Sequence, residues 1–449
     1  MKKRLKEESL LFISVVKWIV LAAIIGVIVG GATAVFLKAL NYSIAFADKR
    51  QYFFLLVPVA FFISSLVIKY LAPDAEGHGT EKVIEAVHKR SGKINPAVVP
   101  VKLLTTVVTI ASGGSAGKEG PCAQIGAGLA SFFADIFRFD KSDRRKLVIC
   151  GISAGFASVF GTPIAGAIFG VEVLFVGGIL YDVLLPSFIA GIISYHATEM
   201  FGIKYFYHAI SFVPVFTHLF FLKVILAGIF FGLCSFVMIE ILKLGERISA
   251  RIRIWAPLKG LIGGLIIIGL VFAFSKQYLG LGLGTIEKCL AGGKVEWFAF
   301  LVKSVFTSIT LNFGGSGGIV TPIFFVGSAS GNIFAQIFHL DIATFSALGF
   351  VALLAGAANT PIAASIMAIE LFGPRIAPYA AVACVISFLM TGHRSVYPSQ
   401  ILAFKKSKFI EVDMGKEMND LNVSFQGSRN SRALKLISWI RSFFKGNRR

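Results

Sequence analysis

Glu119 stands in the stretch Gly113-Gly-Ser-Ala-Gly-Lys-Glu-Gly-Pro121, the one acidic position of a long apolar tract. The glycines let the backbone turn and approach a bound group closely. Pro121 suits the first turn of a helix, where its missing N–H is not needed. The pattern predicts a glycine-rich loop that opens a helix near Gly120. Such a helix end presents free N–H groups and the positive end of the helix dipole, which together make an anion site. The same pattern returns as Gly314-Gly-Ser-Gly-Gly-Ile-Val-Thr-Pro322. Two such loops in one apolar chain imply a single anion pathway built from two halves. A carboxylate at such a helix end mimics the bound anion. Glu119 therefore reads as a gate that plugs the site when ionised and leaves it when protonated, rather than as a structural partner of Lys118.

Other polar groups have weaker patterns. Glu172 and Glu370 lie at equivalent places in two apolar helices and read first as hydrogen-bonded structural carboxylates, with a functional role as the alternative. His78, in Gly77-His-Gly79, either donates to an anion or sits in a solvated turn. A nucleotide P-loop is excluded, because Lys118 is followed by Glu119 where Ser or Thr should hold magnesium. A membrane-embedded hydrolase needs a Ser–His or paired-carboxylate arrangement, whereas His196, His208, His218, His339 and His393 are scattered and read as interfacial or packed. The five cysteines, Cys122, Cys150, Cys234, Cys289 and Cys384, show no CxxC spacing and read as buried thiols. Neither a metal site nor a cofactor is expected, and the chain does not read as an enzyme.

The elements that must position these groups are membrane spans. Of 449 residues, 56% are hydrophobic before glycine is counted, and the formal charge is +20. In a soluble protein that charge would suggest nucleic acid. Here the cations cluster in tails and short loops, so the positive-inside rule explains them and nucleic acid is excluded as a partner. Leu10 to Leu40 reads as a long first span, retained rather than cleaved as a signal peptide, and Tyr52 to Ala72 as a second, joined by a polar turn around Asn41 to Gln51. Lys2, Lys3, Arg4 and Lys6 place the N-terminus in the cytoplasm. From Ala97 onward the spans are short and broken: Ala97 to Ser112, Pro121 to Phe137, Leu147 to Phe160 and Pro163 to Leu180. Val183 to Met200, Phe212 to Leu242 and Leu258 to Ser275 continue the pattern. The polar, basic end beyond Tyr397 reads as a short tail in which Ser431 to Phe444 is either a surface-lying amphipathic helix or disordered.

The second half replays the first. Pro322 follows Pro121 by 201 residues, and at that offset Phe133-Ala-Asp-Ile-Phe137 meets Phe334-Ala-Gln-Ile-Phe338. Thr162-Pro-Ile-Ala-Gly-Ala-Ile-Phe-Gly-Val-Glu172 meets Thr360-Pro-Ile-Ala-Ala-Ser-Ile-Met-Ala-Ile-Glu370 at 198. Interrupted segments in matching places of two halves point to a duplicated transporter fold, and inversion of the halves would bring both loops to the midplane from opposite sides.

Gly117-Lys-Glu-Gly-Pro121, Gly318-Ile-Val-Thr-Pro322, the Gly77-His-Gly79 turn and Tyr397 in Val396-Tyr-Pro-Ser resemble the CLC chloride channels and chloride/proton antiporters, from about Leu10 to Ala403. The resemblance implies an all-α, polytopic, inverted-repeat membrane fold with many short, tilted and broken helices, and a homodimer with one pore per subunit. It divides the chain into a basic cytoplasmic N-terminus (1–9), a transmembrane domain (10–403, repeat halves 97–200 and 297–391) and a basic cytoplasmic tail (404–449). It makes Glu119 the gate and the backbone N–H groups of Ile319 and Val320 anion donors. Lys118, Gly120 and Gly318 are further anion-binding candidates, and Tyr397 closes the inner side together with His78, which stands where the family has serine. Thr80-Glu81 replaces the usual Ile-Pro, and Val320 the usual Phe. Val173 stands where the antiporters carry an inner proton-relay glutamate. That last change favours a gated chloride channel in the plasma membrane, with chloride/proton exchange as the alternative and Glu119, His78 and Glu172 as its relay candidates. Chloride comes from the resemblance; the residues alone indicate a small anion, and a site built mainly from backbone N–H donors suits a weakly hydrated monovalent anion better than phosphate, which is more often clamped by charged groups.

Overall fold

The structure, a computed structural model, describes residues 2–205, 207 and 217–425. The segment Ser431 to Phe444 lies outside the described residues, as do His208 and the start of the span expected from Phe212. The described residues form sixteen α-helices and two small two-stranded sheets. α1 (Lys2–Asp48) and α2 (Val57–Leu71) lead to the amphipathic α3 (Thr80–Lys89). The first half continues with α4 (Val98–Ala111), α5 (Glu119–Ile136), α6 (Lys141–Phe160), α7 (Pro163–Glu172) and α8 (Leu184–Met200). α9 (His218–Arg251) and α10 (Ala256–Ala273) carry the chain across to the short α11 (Leu283–Leu290). The second half is α12 (Ala299–Asn312), α13 (Val320–Ile337), α14 (Ile342–Ala358), α15 (Pro361–Phe372) and α16 (Ala377–Met390). Five of these helices are long and apolar enough to cross a membrane, and several others are apolar but only 10–17 residues long.

Some boundaries differ from the sequence reading. α1 has 47 residues and absorbs the turn expected around Asn41 to Gln51. Its apolar run marks only the middle of the helix, because Asn41 to Asp48 contains neither Gly nor Pro to stop it. α7 ends at Glu172, after which Phe175–Val176 pairs in parallel with Ile401–Leu402 instead of continuing as helix. That pairing ties the segment after Tyr397 to the end of α7. The beginning of the tail is also structured, since Ile410–Glu411 pairs with Ser424–Phe425.

The breaks recur in register. Asp140 and Asp341 cap α6 and α14 by accepting the Asp143 and Thr344 amides, each at 2.8 Å. Gly161 and Asn359 end those helices in the left-handed region, and Pro163 and Pro361 start the next ones at the first turn. A Cβ on Gly126 would lie 2.3 Å from the Gly151 carbonyl oxygen, and one on Gly327 equally close to that of Gly349. The α5/α6 and α13/α14 pairs therefore pack backbone to backbone, as small residues permit between membrane helices.

Candidate functional site

The two glycine loops bond to each other. Gly117 N–H donates to Gly318 O at 2.7 Å, and Gly318 N–H donates to Gly117 O at 2.6 Å. This reciprocal bridge sets the N-termini of α5 and α13 against each other inside the protein. Threonines hold each loop from the opposite half: Ser115 N–H donates to Thr310 Oγ1 and Ser316 N–H to Thr109 Oγ1, both at 3.0 Å. Irregular backbone at membrane depth survives only when its polar groups are satisfied by protein or cavity, and these bonds satisfy it. The glycines are required by contact. A Cβ on Gly120 would lie 2.1 Å from the His78 carbonyl oxygen, and one on Gly79, at φ +80°, would lie 2.5 Å from the Gly120 carbonyl oxygen.

Glu119 begins α5 one residue earlier than expected and is fully buried. Its carboxylate reaches across to α13, where Thr321 N–H donates to Oε2 at 3.0 Å and the Thr321 hydroxyl donates to Oε1 at 2.5 Å. The first amides of a helix have no carbonyl partner within it, so this carboxylate occupies the end of α13 as a bound anion would. Ile319 and Val320 sit at the same helix start. Gly318 differs from its expected part, since its N–H is committed to Gly117 and it contributes close backbone approach instead.

Lys118 lies on one side of this junction, lining a cavity of about 250 Å³ with Glu119, Thr321, Lys204, Phe160 and Phe324. His78 and Tyr397 lie on the other, their ring centroids 5.7 Å apart. His78 Nδ1 and the Tyr397 hydroxyl are buried without a protein partner in hydrogen-bonding geometry. Lys102 Nζ, fully buried, supports the His78 turn by donating to the Ala75 and Gly77 carbonyls at 3.0 and 2.5 Å. Tyr397 is fixed by its N–H to Ser395 Oγ at 2.9 Å, and Gln400 beyond it donates to Val173 O and Ala358 O.

Glu172 is not gathered into this cluster. Its carboxylate accepts from Ile362 N and Ala363 N at 3.0 and 2.8 Å, capping α15. Glu370 accepts from Ile164 N and Ala165 N at the same two distances, capping α7. Each half thus caps a helix of the other, the hydrogen-bonded role read first from the sequence. Three groups were missed. Thr321 looks like any helical threonine, Lys102 like a misplaced charge in an apolar helix, and Glu81 like the solvated face of α3. Glu81 instead turns toward the Tyr397 segment, where Oε1 accepts from Ser399 N at 2.9 Å while Oε2 is buried without a partner.

The family model described as voltage gated chloride channel matches residues 59–392. The chain is 37% identical to the chloride/fluoride channel protein of Pseudomonas syringae pv. tomato, over 90% of this chain and 91% of that one. It is 27% identical to the H(+)/Cl(-) exchange transporter ClcA of Klebsiella pneumoniae, over 78% and 80%. Among solved structures, a CLC-type fluoride/proton antiporter superposes with a TM-score of 0.82 at 28% identity, covering 86% of this chain and 98% of that one. A slow cyanobacterial Cl-/H+ antiporter superposes at 0.73 and 22% identity, covering 83% and 94%, and bears on the fold alone. The chain is a multi-pass membrane protein that belongs to the CLC family, a family of anion transporters and channels rather than enzymes. Its function is anion transport. The comparisons fit the exchanger alternative better than the gated channel that Val173 suggests, and so correct that preference.

Proposed function

We propose that this protein exchanges a small halide for a proton across the plasma membrane, that Glu119 is the group both ions compete through, and that fluoride is its preferred anion. The carrying observation is the Glu119 carboxylate seated on the Thr321 N–H and O–H. An incoming anion needs those same donors. Ionised Glu119 holds them against it; the neutral acid is a weaker partner for the positive helix end and yields them. One proton and one anion thereby exclude each other at a single place. Backbone amides of Ile319 and Val320 supply further donors, and His78 and Tyr397 close the opposite side, which the basic N-terminus and the positive-inside rule assign to the cytoplasm. Lys118 and the apolar walls of the cavity receive anions from the exterior.

Fluoride is favoured by the donor set and by the relatives. Hydroxyl and amide donors at a dry site suit a small ion that accepts strong hydrogen bonds; the structure at TM-score 0.82 is named for fluoride and the Pseudomonas relative for both chloride and fluoride. Chloride/proton exchange is the second reading, supported by the name of the Klebsiella relative. The homodimer implied by the resemblance belongs to this proposal. Exposed Ile164, Ile362 and Ile369 on α7 and α15 offer an apolar surface for a second copy. Efflux from proteoliposomes loaded with fluoride or chloride, followed by ion-selective electrodes, tests the anion. Faster fluoride efflux supports the reading, and exclusion of fluoride with rapid chloride efflux overturns it.

A further inference from the structure

The exchange reading leaves a route unassigned. A proton on Glu119 must reach the solution on the His78 side, yet Val173 is buried and apolar and Glu172 is engaged as a helix cap. One carboxyl near Tyr397 has unused capacity. Glu81 stands in the first turn of α3, half-buried, three residues after His78 and directly after Thr80. The Ser399 amide holds one oxygen at 2.9 Å, two residues beyond Tyr397, while the other oxygen is enclosed with no protein partner. The Tyr397 ring stands 5.7 Å from that of His78, and the His78 carbonyl packs directly on Gly120, the residue after Glu119. The His78 turn and the Tyr397–Ser399 segment therefore connect the start of the gate helix with Glu81.

Resting on that exchange reading, we propose that Glu81 is the carboxyl that takes up and releases protons at the His78-side mouth, passing them between the solution and Glu119. In the uptake step a hydronium ion in the mouth gives its proton to the unpartnered Glu81 oxygen, forming the acid and leaving water. In the next step that O–H bond breaks and the proton moves along the Tyr397 side to the Glu119 carboxylate, restoring ionised Glu81. No oxidant or co-substrate is needed.

The surroundings suit this work. Burial pushes the Glu81 carboxyl up to about 7, opposed by hydrogen bonding from Ser399 and by Lys82, and aided by Glu85. Lys82 and Glu85 lie on its own helix and form an ion pair at 3.4 Å. The segment packed against it contributes Tyr397 and Ser399, and the turn before it contributes His78, which rests on Lys102 through the Gly77 carbonyl. A carboxyl balanced near neutral pH exists in both forms, as a proton exchanger must.

The test uses the full chain in sealed liposomes, with a fluoride gradient as the driving force, a fluoride electrode and a pH electrode. Glu81→Gln keeps an oxygen for the Ser399 amide but carries no exchangeable acid proton, and should lower the protons moved per fluoride at least about tenfold. Glu81→Asp should restore coupling with a shifted pH profile. Wild-type fluoride flux without proton movement would remove the exchange reading and this assignment with it. A wild type that couples, beside a Glu81→Gln variant that couples equally, would overturn the assignment and leave exchange standing. If the Gln variant is not recovered folded, Glu81→Asp decides, and a pH profile identical to wild type would overturn the assignment.

Discussion

Lys102 and Lys303 are the same device in two halves. They are 201 positions apart, both fully buried, and each donates to two carbonyls of a glycine turn: Ala75 and Gly77 for Lys102, Tyr278 and Gly280 for Lys303. Each stabilises a turn that could not otherwise bury its carbonyls. Replacing either by Met strands two buried acceptors, at about 1–3 kcal/mol each. Both variants should unfold several degrees below the wild type in detergent, read by thermal scanning of the monodisperse protein. An unchanged midpoint for both would show that the turns stand without them.

Glu119→Ala should leave anion flux that no longer responds to pH. In the wild type, lowering pH neutralises the carboxylate that occupies the Thr321 donors, so flux rises as pH falls. Efflux measured across pH 5 to 8 should change by about tenfold or more in the wild type and stay flat in the variant. A variant that retained the wild-type slope would displace Glu119 as the gate.

Thr321→Val removes one hydroxyl donor and keeps the backbone amide. A hydrogen bond to a charged group contributes about 1.5–3 kcal/mol, so anion affinity should fall about tenfold or more. Thr321→Ser should recover most of it. Equilibrium fluoride titration by calorimetry reads both, and equal affinity in Val and Ser variants would mean that the hydroxyl is not used.

Glu172→Ala and Glu370→Ala should behave as a pair. Each loses a carboxylate that caps a helix of the other half, at about 1–2 kcal/mol. Both should lower the unfolding midpoint by similar amounts, and Glu172→Ala should keep its protons moved per anion. Loss of coupling in Glu172→Ala would return that residue to the relay.

Legibility in the sequence followed chemistry that repeats. The 201-residue offset made the duplicated halves readable, and glycines flanking a lone Glu marked the junction. The Gly120 and Gly79 contacts show why no side chain fits there. What stayed hidden depends on partners distant in the chain. Thr321 and Glu119 are 202 residues apart and Glu81 and Ser399 are 318 apart, so spacing along the chain announces neither pair. The Thr321 partnership had one signal available, its place in the first turn of the second motif's helix. Helix ends were misjudged where polar residues continue a helix without a breaker, as at Asn41 to Asp48.

Coupling itself is the most direct test. Sealed proteoliposomes are loaded with fluoride, the voltage is clamped with a potassium ionophore, and external pH is followed as the anion leaves down its gradient. Protons should enter against their own gradient while fluoride exits, with movement abolished in Glu119→Gln. Fluoride exit with no proton movement in the wild type would contradict exchange and restore the channel.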